Sequence, residues 1–276
     1  MKLSLCNEVL GDMPFAQQCA WARAAGYSGL ELAPFTLDAH PERLSTVRAR
    51  QLAAIALDHG LEITGLHWLL VKPEGLSITH PDASVRKRTV ALMRHLCEIC
   101  AAMGGRYLVH GSPRQRQIHD GESYDVALAR ATDCWAEAAQ AAAQWGINYC
   151  IEPLSADQTP LINTLAQAVA VVRSVGQPNL FTMLDTSSAG LAESLPLPEL
   201  IDLWFPSGLV RHVQLNDPNR RGPGQGLMQF GPILAALRRQ GYSGPLAVEP
   251  FDYVPDGPSC AARAAGFLQG LLETCS

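Results

Sequence analysis

Three acidic residues each close an apolar run: Glu152 in "YCIEP", Asp185 in "TMLDT" and Glu249 in "LAVEP". A carboxylate at the buried end of a strand is costly unless it is paired or binds a cation. Taken alone, each is explained equally well by a helix N-cap or an ion pair. Together, with an oxygen or nitrogen donor from "LVRHVQL" (209–215), they form a ligand set if the chain brings them to one point. An oxygen-rich set suits one hard or borderline divalent ion, Mn2+, Mg2+ or Co2+, with Zn2+ admissible. No thiolate belongs to the set, which disfavours a structural zinc site.

Other polar residues stand at the ends of other short runs: Glu31 in "GLELA", His67 and Trp68 in "EITGLHW", His110 in "RYLVHG", and His212 and Gln214. His212 and Gln214 are two apart, so on a strand they share a face. The cysteine pair in "CEIC", Cys97 and Cys100, lies within an Ala/Leu-rich stretch with no second pair. It reads as buried filler and not as a metal or redox motif.

The elements that must position these side chains recur about every thirty residues: a β-rich run, polar residues, then a helical stretch. Eight runs read as strands: 2–6, 29–33, 62–68, 106–111, 148–153, 180–185, 209–215 and 245–250. Between them, stretches such as 80–103, 122–145 and 258–273 have the content of amphipathic helices. Several helices give way to the next strand through a glycine, as in "AQWGINYCI", where a left-handed cap is needed. Eight strand–helix units in 276 residues predict a single-domain α/β fold over 1–276, a (β/α)8 TIM barrel. The rival, an open doubly wound sheet, lacks the glycine-rich phosphate fingerprint after its first strand. In a barrel the active site lies at the carboxyl ends of the strands, where all of these polar residues fall.

The chain is 47% apolar and 17% charged, with a formal net charge of −5 and no basic block, which argues against nucleic acid as the main partner. No run is long and apolar enough to span a membrane, and the start lacks the apolar core of a signal peptide. With eight cysteines scattered through helix- and strand-like segments, a reducing, cytoplasmic setting is expected.

The segments "IEPL", "LDTSS", "HVQLND", "RRGPGQG" and "LAVEP" resemble the xylose isomerase-like sugar isomerase/epimerase superfamily. This group includes ketose 3-epimerases, hydroxypyruvate isomerases and inosose dehydratases, with endonuclease IV barrels as distant relatives. The resemblance implies metal ligation by Glu152, Asp185, Gln214 and Glu249. It also implies proton transfer by Glu152 and Glu249 next to a sugar carbonyl, through an enediolate that the metal stabilises. Arg220, in "NRRGPGQG", matches the residue that grips a sugar oxygen. His67, Trp68 and His212 are expected to contact the substrate. Glu31 is expected either on a substrate hydroxyl or bracing His67. His110 opens a βα loop whose Arg114 and Arg116 could hold the substrate's far end.

Two positions depart from the ketose 3-epimerase pattern. Ser188 stands where those enzymes carry His, and Gln158 where they carry a second Glu. Both family residues grip hydroxyls, so the substrate grip differs even though the metal set is complete. The Gln in the strand-seven ligand place leans towards the hydroxypyruvate isomerase or dehydratase branches. Endonuclease IV activity is disfavoured because its histidine-rich trinuclear site is missing. A lyase, either a keto-inositol dehydratase or a 3-keto-glycoside-cleaving enzyme, is the alternative that uses the same metal and base. The expected partner is a small sugar. Barrels of this superfamily often pair, so a homo-oligomer stays open.

Overall fold

All eight β-rich runs form strands in the computed structural model, which describes residues 1–274. They are β1 (Leu3–Cys6), β2 (Gly29–Leu32), β3 (Glu62–Leu66), β4 (Tyr107–His110), β5 (Asn148–Ile151), β6 (Leu180–Asp185), β7 (Val210–Leu215) and β8 (Leu246–Val248). Each strand pairs in parallel with the next and β8 closes on β1, giving the (β/α)8 barrel expected as a single domain. Residues 275 and 276 of the expected 1–276 span lie outside the described residues.

The helices are α1 (Phe15–Ala24), α2 (Pro34–Leu37), α3 (Thr46–Asp58), α4 (Ala83–Ala102), α5 (Tyr124–Trp145), α6 (Leu165–Val175), α7 (Thr186–Ala192), α8 (Leu197–Trp204), α9 (Phe230–Arg239) and α10 (Gly257–Thr274). Local chemistry sets their ends. Ser123 caps α5 by accepting from the Val126 N–H, and Gly146 ends that helix in the left-handed conformation expected from "QWGIN". Cys97 and Cys100 are fully buried on α4, as the filler reading requires.

Short strands with both faces covered explain the nearly continuous apolar runs. The barrel interior nevertheless carries a polar layer. Ser4 and Tyr107 each hydrogen-bond to the Thr64 hydroxyl, and Tyr107 stacks on His212 with ring centroids 3.9 Å apart. This layer supports the strand ends above it. Among the described residues no helix is long and apolar enough to cross a membrane.

Candidate active site

The three strand-closing acids meet. One carboxylate oxygen each from Glu152, Asp185 and Glu249 lies within 4.8 Å of the others, and all three side chains are buried. Barrel register brings them there. Asp185 pairs with Gln214, and Gln214 with Ala247, which places Glu249 one pleat further on the same face. Glu152 follows β5 directly, and its amide donates to the His110 carbonyl at 3.3 Å.

Each acid is held in place. Asp185 Oδ1 accepts the Ser188 N–H at 2.6 Å, capping α7. Asn216 ties β6 to β8: its side chain accepts the Ser187 N–H at 2.9 Å and donates to the Glu249 carbonyl at 3.0 Å. Gly111 faces Glu152 so closely that an added Cβ would fall on the Oε2 oxygen and 3.1 Å from Cδ. Arg116 is fully buried and donates to the Glu152 carbonyl at 2.7 Å.

Burial, then the neighbouring Asp185, pushes the Glu152 carboxyl up to about 8. Burial also raises Asp185, against the opposing pull of the Ser188 amide. Glu249 rises well above the carboxylate range through burial and the charges of Glu152, Glu8 and Asp185. Three carboxylates packed this way cannot all ionise without a cation between them. One buried oxygen of the cluster, Asp185 Oδ2, also lacks any hydrogen-bond partner, as does Gln214 Oε1 on β7. The donor set, all oxygen and mostly anionic, therefore fits a divalent ion.

Gln214 is aimed by Glu31. Its Nε2 donates to Glu31 Oε1 at 2.7 Å, which turns the unpaired Oε1 the other way. Glu31 also accepts from the Tyr107 hydroxyl at 2.5 Å and lies 2.8 Å from His212 Nε2 and 3.6 Å from His67 Nδ1. Burial opposes ionisation of Glu31, but the His212 and His67 rings and the Tyr107 hydroxyl outweigh it and hold the carboxyl down at about 2. Glu31 accepts from Gln214 and Tyr107, whereas His67 Nδ1, expected as the residue it braces, is not hydrogen-bonded to it. His212 sits one pleat deeper than Gln214 and faces Glu31.

Above the acids opens a cavity of about 350 Å³, a size suited to a small molecule. Trp68, Gln158, Ser188, Arg220 and Phe251 line it, with Arg114 at its rim. A hollow of about 740 Å³ at the opposite end of the barrel, beside Leu3, Arg106 and Asn148, contains none of the clustered acids. Trp68 packs edge-on against Phe35 and Phe251, with centroids 5.4 and 5.6 Å apart, and Arg220 stands 4.9 Å over the Phe251 ring. Trp68, Ser112 and Arg220 all adopt left-handed backbone (φ 48°, 37° and 68°) and all line the cavity. Such strain in non-glycine residues gathers where the surrounding structure holds side chains in fixed positions.

Five residues expected near substrate do not line the cavity, among them the fully buried His212 that faces Glu31. His67 lies beneath it, fully buried, 2.9 Å from Glu8 and 3.6 Å from Glu249. His110 is a core residue whose Nδ1 meets the Tyr149 hydroxyl at 2.7 Å and the Trp135 indole N–H at 3.2 Å. Arg116 turns inward behind Glu152, leaving Arg114 as the exposed cation of that loop. Glu31 lies in the layer below. Sequence reasoning missed Glu8, Asn216 and Phe251. The only signal for any of them was their position just past β1, β7 and β8.

A family model described as "Xylose isomerase-like TIM barrel" matches residues 19–271. A D-psicose 3-epimerase of Agrobacterium fabrum is 39% identical over 106 residues, which is 38% of this chain and 36% of that protein. A ketose 3-epimerase of Arthrobacter globiformis is 25% identical over 232 residues, covering 83% of this chain and 75% of its own. Among solved structures, a D-psicose 3-epimerase with D-tagatose from Clostridium cellulolyticum H10 superposes with a TM-score of 0.83. It is 20% identical, and both chains are fully covered.

Proposed function

The chain belongs to the xylose isomerase-like TIM barrel family, and from that premise we propose that it is a divalent-metal-dependent sugar epimerase. Its substrate on this reading is a keto-sugar, as the names of its relatives suggest. The observation that carries the reading is the convergence of Glu152, Asp185 and Glu249, with the unpaired Gln214 oxygen turned away from Glu31. These four residues would hold the ion, with Mn2+, Mg2+ or Co2+ favoured by the oxygen donors. When bound, the ion supplies positive charge that keeps the acids ionised and offsets the anion developing on the substrate oxygens.

The chain's own groups do the rest. One of Glu152 and Glu249 removes the proton beside the carbonyl, and the other returns one. Arg220, poised over Phe251 at the cavity wall, donates to a sugar oxygen. Trp68 and Phe251 present apolar ring surface to the C–H faces of the sugar and exclude water. Ser188 and Gln158 line the cavity where ketose 3-epimerases place His and Glu, so they set a weaker, neutral grip on the hydroxyls. Elimination would use the same acids, but the relatives named above are epimerases and nothing at the site favours it. A reducing, cytoplasmic setting is supported by the seven cysteines among the described residues, which are free and buried.

The test is turnover of ketoses in D2O after removal and return of the metal. The expected result is one solvent deuterium at the inverted carbon, with activity lost to chelator and restored by Mn2+, Mg2+ or Co2+. Release of water or an aglycone would replace the reading with a lyase. Turnover indifferent to chelation would refute it.

A further inference from the structure

A second group of donors lies beside the first, in the opposite half of the barrel mouth. Cys6 ends β1 and Glu8 follows it in a short 3-10 turn. His67 follows β3, and Glu249 follows β8. One atom from each of Cys6, Glu8, His67 and Glu249 lies within 4.8 Å of the other three. Glu249 thus belongs to both groups, between the β5–β7 donors on one side and the β1–β3 donors on the other.

The contacts inside this second group are close but unaligned, as are those of His212 with Glu31 in the layer below. His67 Nε2 and Glu8 Oε2 are 2.9 Å apart, yet they are not aligned as a hydrogen bond. Both Glu8 oxygens and both His67 nitrogens lack a hydrogen-bond partner, although the Glu8 side chain is only 7% exposed and His67 is fully buried. Donor atoms of two side chains that ligate one ion also stand this close without bonding to each other. At zinc–nitrogen and zinc–oxygen bond lengths, tetrahedral donors stand roughly 3.3 Å apart, comparable to the 2.9 Å and 3.6 Å from His67 to Glu8 and Glu249.

We propose that Cys6, Glu8, His67 and Glu249 form a second divalent-cation site, sharing Glu249 with the first. One thiolate, one imidazole and two carboxylates select a borderline ion such as Zn2+ over the harder ions suited to the first site. On binding, the Cys6 S–H bond breaks and its proton passes to solvent, the thiolate keeping the electron pair that it gives to the metal. The proposal does not depend on what the first site catalyses.

Cobalt tests it, because a thiolate ligand gives Co2+ an intense near-ultraviolet charge-transfer band and an all-oxygen site does not. Metal-free full-length protein is titrated with Co2+ while absorbance is followed, and bound Co2+ and Zn2+ are counted by elemental analysis. Two ions per chain are expected, together with a thiolate band. Cys6→Ser should abolish the band, and Glu8→Gln should weaken binding at this site at least tenfold. In each variant one ion should remain, with circular dichroism unchanged. Asp185→Asn should remove the other ion and leave the band. One ion and no band in the wild-type protein, as expected if His67 merely serves as an imidazolium between two carboxylates, would overturn the proposal. A band that survives Cys6→Ser would overturn it too. One ion with a band that Asp185→Asn does not touch would instead support this site and remove the first.

Discussion

Gly111→Ala isolates the geometry of the carboxylate cluster without changing any of its donors. The glycine follows β4, and its φ is not in the left-handed region, so alanine imposes no backbone strain. Its methyl group, however, would fall on Glu152 Oε2. A carbon and an oxygen settle at roughly 3.3 Å or more, so the carboxylate must retreat by on the order of 1 Å or leave its rotamer. Misplacing a catalytic group by about 1 Å costs about 10²-fold in rate, or about 2.7 kcal/mol of transition-state stabilisation. The variant should therefore fold with a thermal midpoint close to that of the parent, bind Mn2+ more weakly, and lose about 10²-fold in kcat/KM. The assays are differential scanning calorimetry, a metal titration, and deuterium incorporation into a ketose that the parent enzyme turns over. A folded Gly111→Ala protein with parental turnover and ion affinity would show that Glu152 does not act from the position it occupies here.

Three further outcomes follow from neighbouring residues. Glu31→Gln, by releasing the Gln214 amide, should weaken ion binding about 10- to 100-fold, measured by competition with a chelating dye. Arg220→Ala should lower kcat/KM roughly 10- to 100-fold, the worth of a hydrogen bond to a charged group, and leave ion affinity unchanged. The third concerns His110, which burial and then Arg116 hold down at about 3. In the unfolded chain a histidine titrates near 6.5, so acid below that pH protonates the unfolded state first. The stabilisation is complete above about pH 6.5 and falls away towards pH 3, by about 2 kcal/mol at pH 5. His110→Gln should flatten this dependence in urea melts at pH 7.5 and 5, and an unchanged slope would mean that His110 is not held neutral.

The strands were legible because a doubly covered strand is an apolar run, and an acid that ends such a run stands out. That logic located Glu152, Asp185 and Glu249. It failed for Glu8, which lies past the strand in a turn where an acid is usually an ordinary surface residue. It also failed to choose between Arg114 and Arg116. Both lie in the 3-10 turn Pro113–Arg116, where residues two apart point in different directions, and only packing decides that Arg116 turns inward.

The role of Glu31 was hidden for a different reason. Its partners come from β4 and β7 across the barrel, so no local pattern could pair them. The pairing of β2 with β3 also slips by one residue at this point: Leu30 lies opposite Ile63, but Glu31 lies opposite Gly65. The skipped residue, Thr64, donates to the Leu30 carbonyl and accepts from the Tyr107 hydroxyl. At Gly65 any side chain would strike the Tyr107 ring. Such a bulge re-aims the side chain beside it. Here that side chain is the carboxylate that accepts from Gln214, so a one-residue irregularity in β3 bears on side-chain geometry at β7.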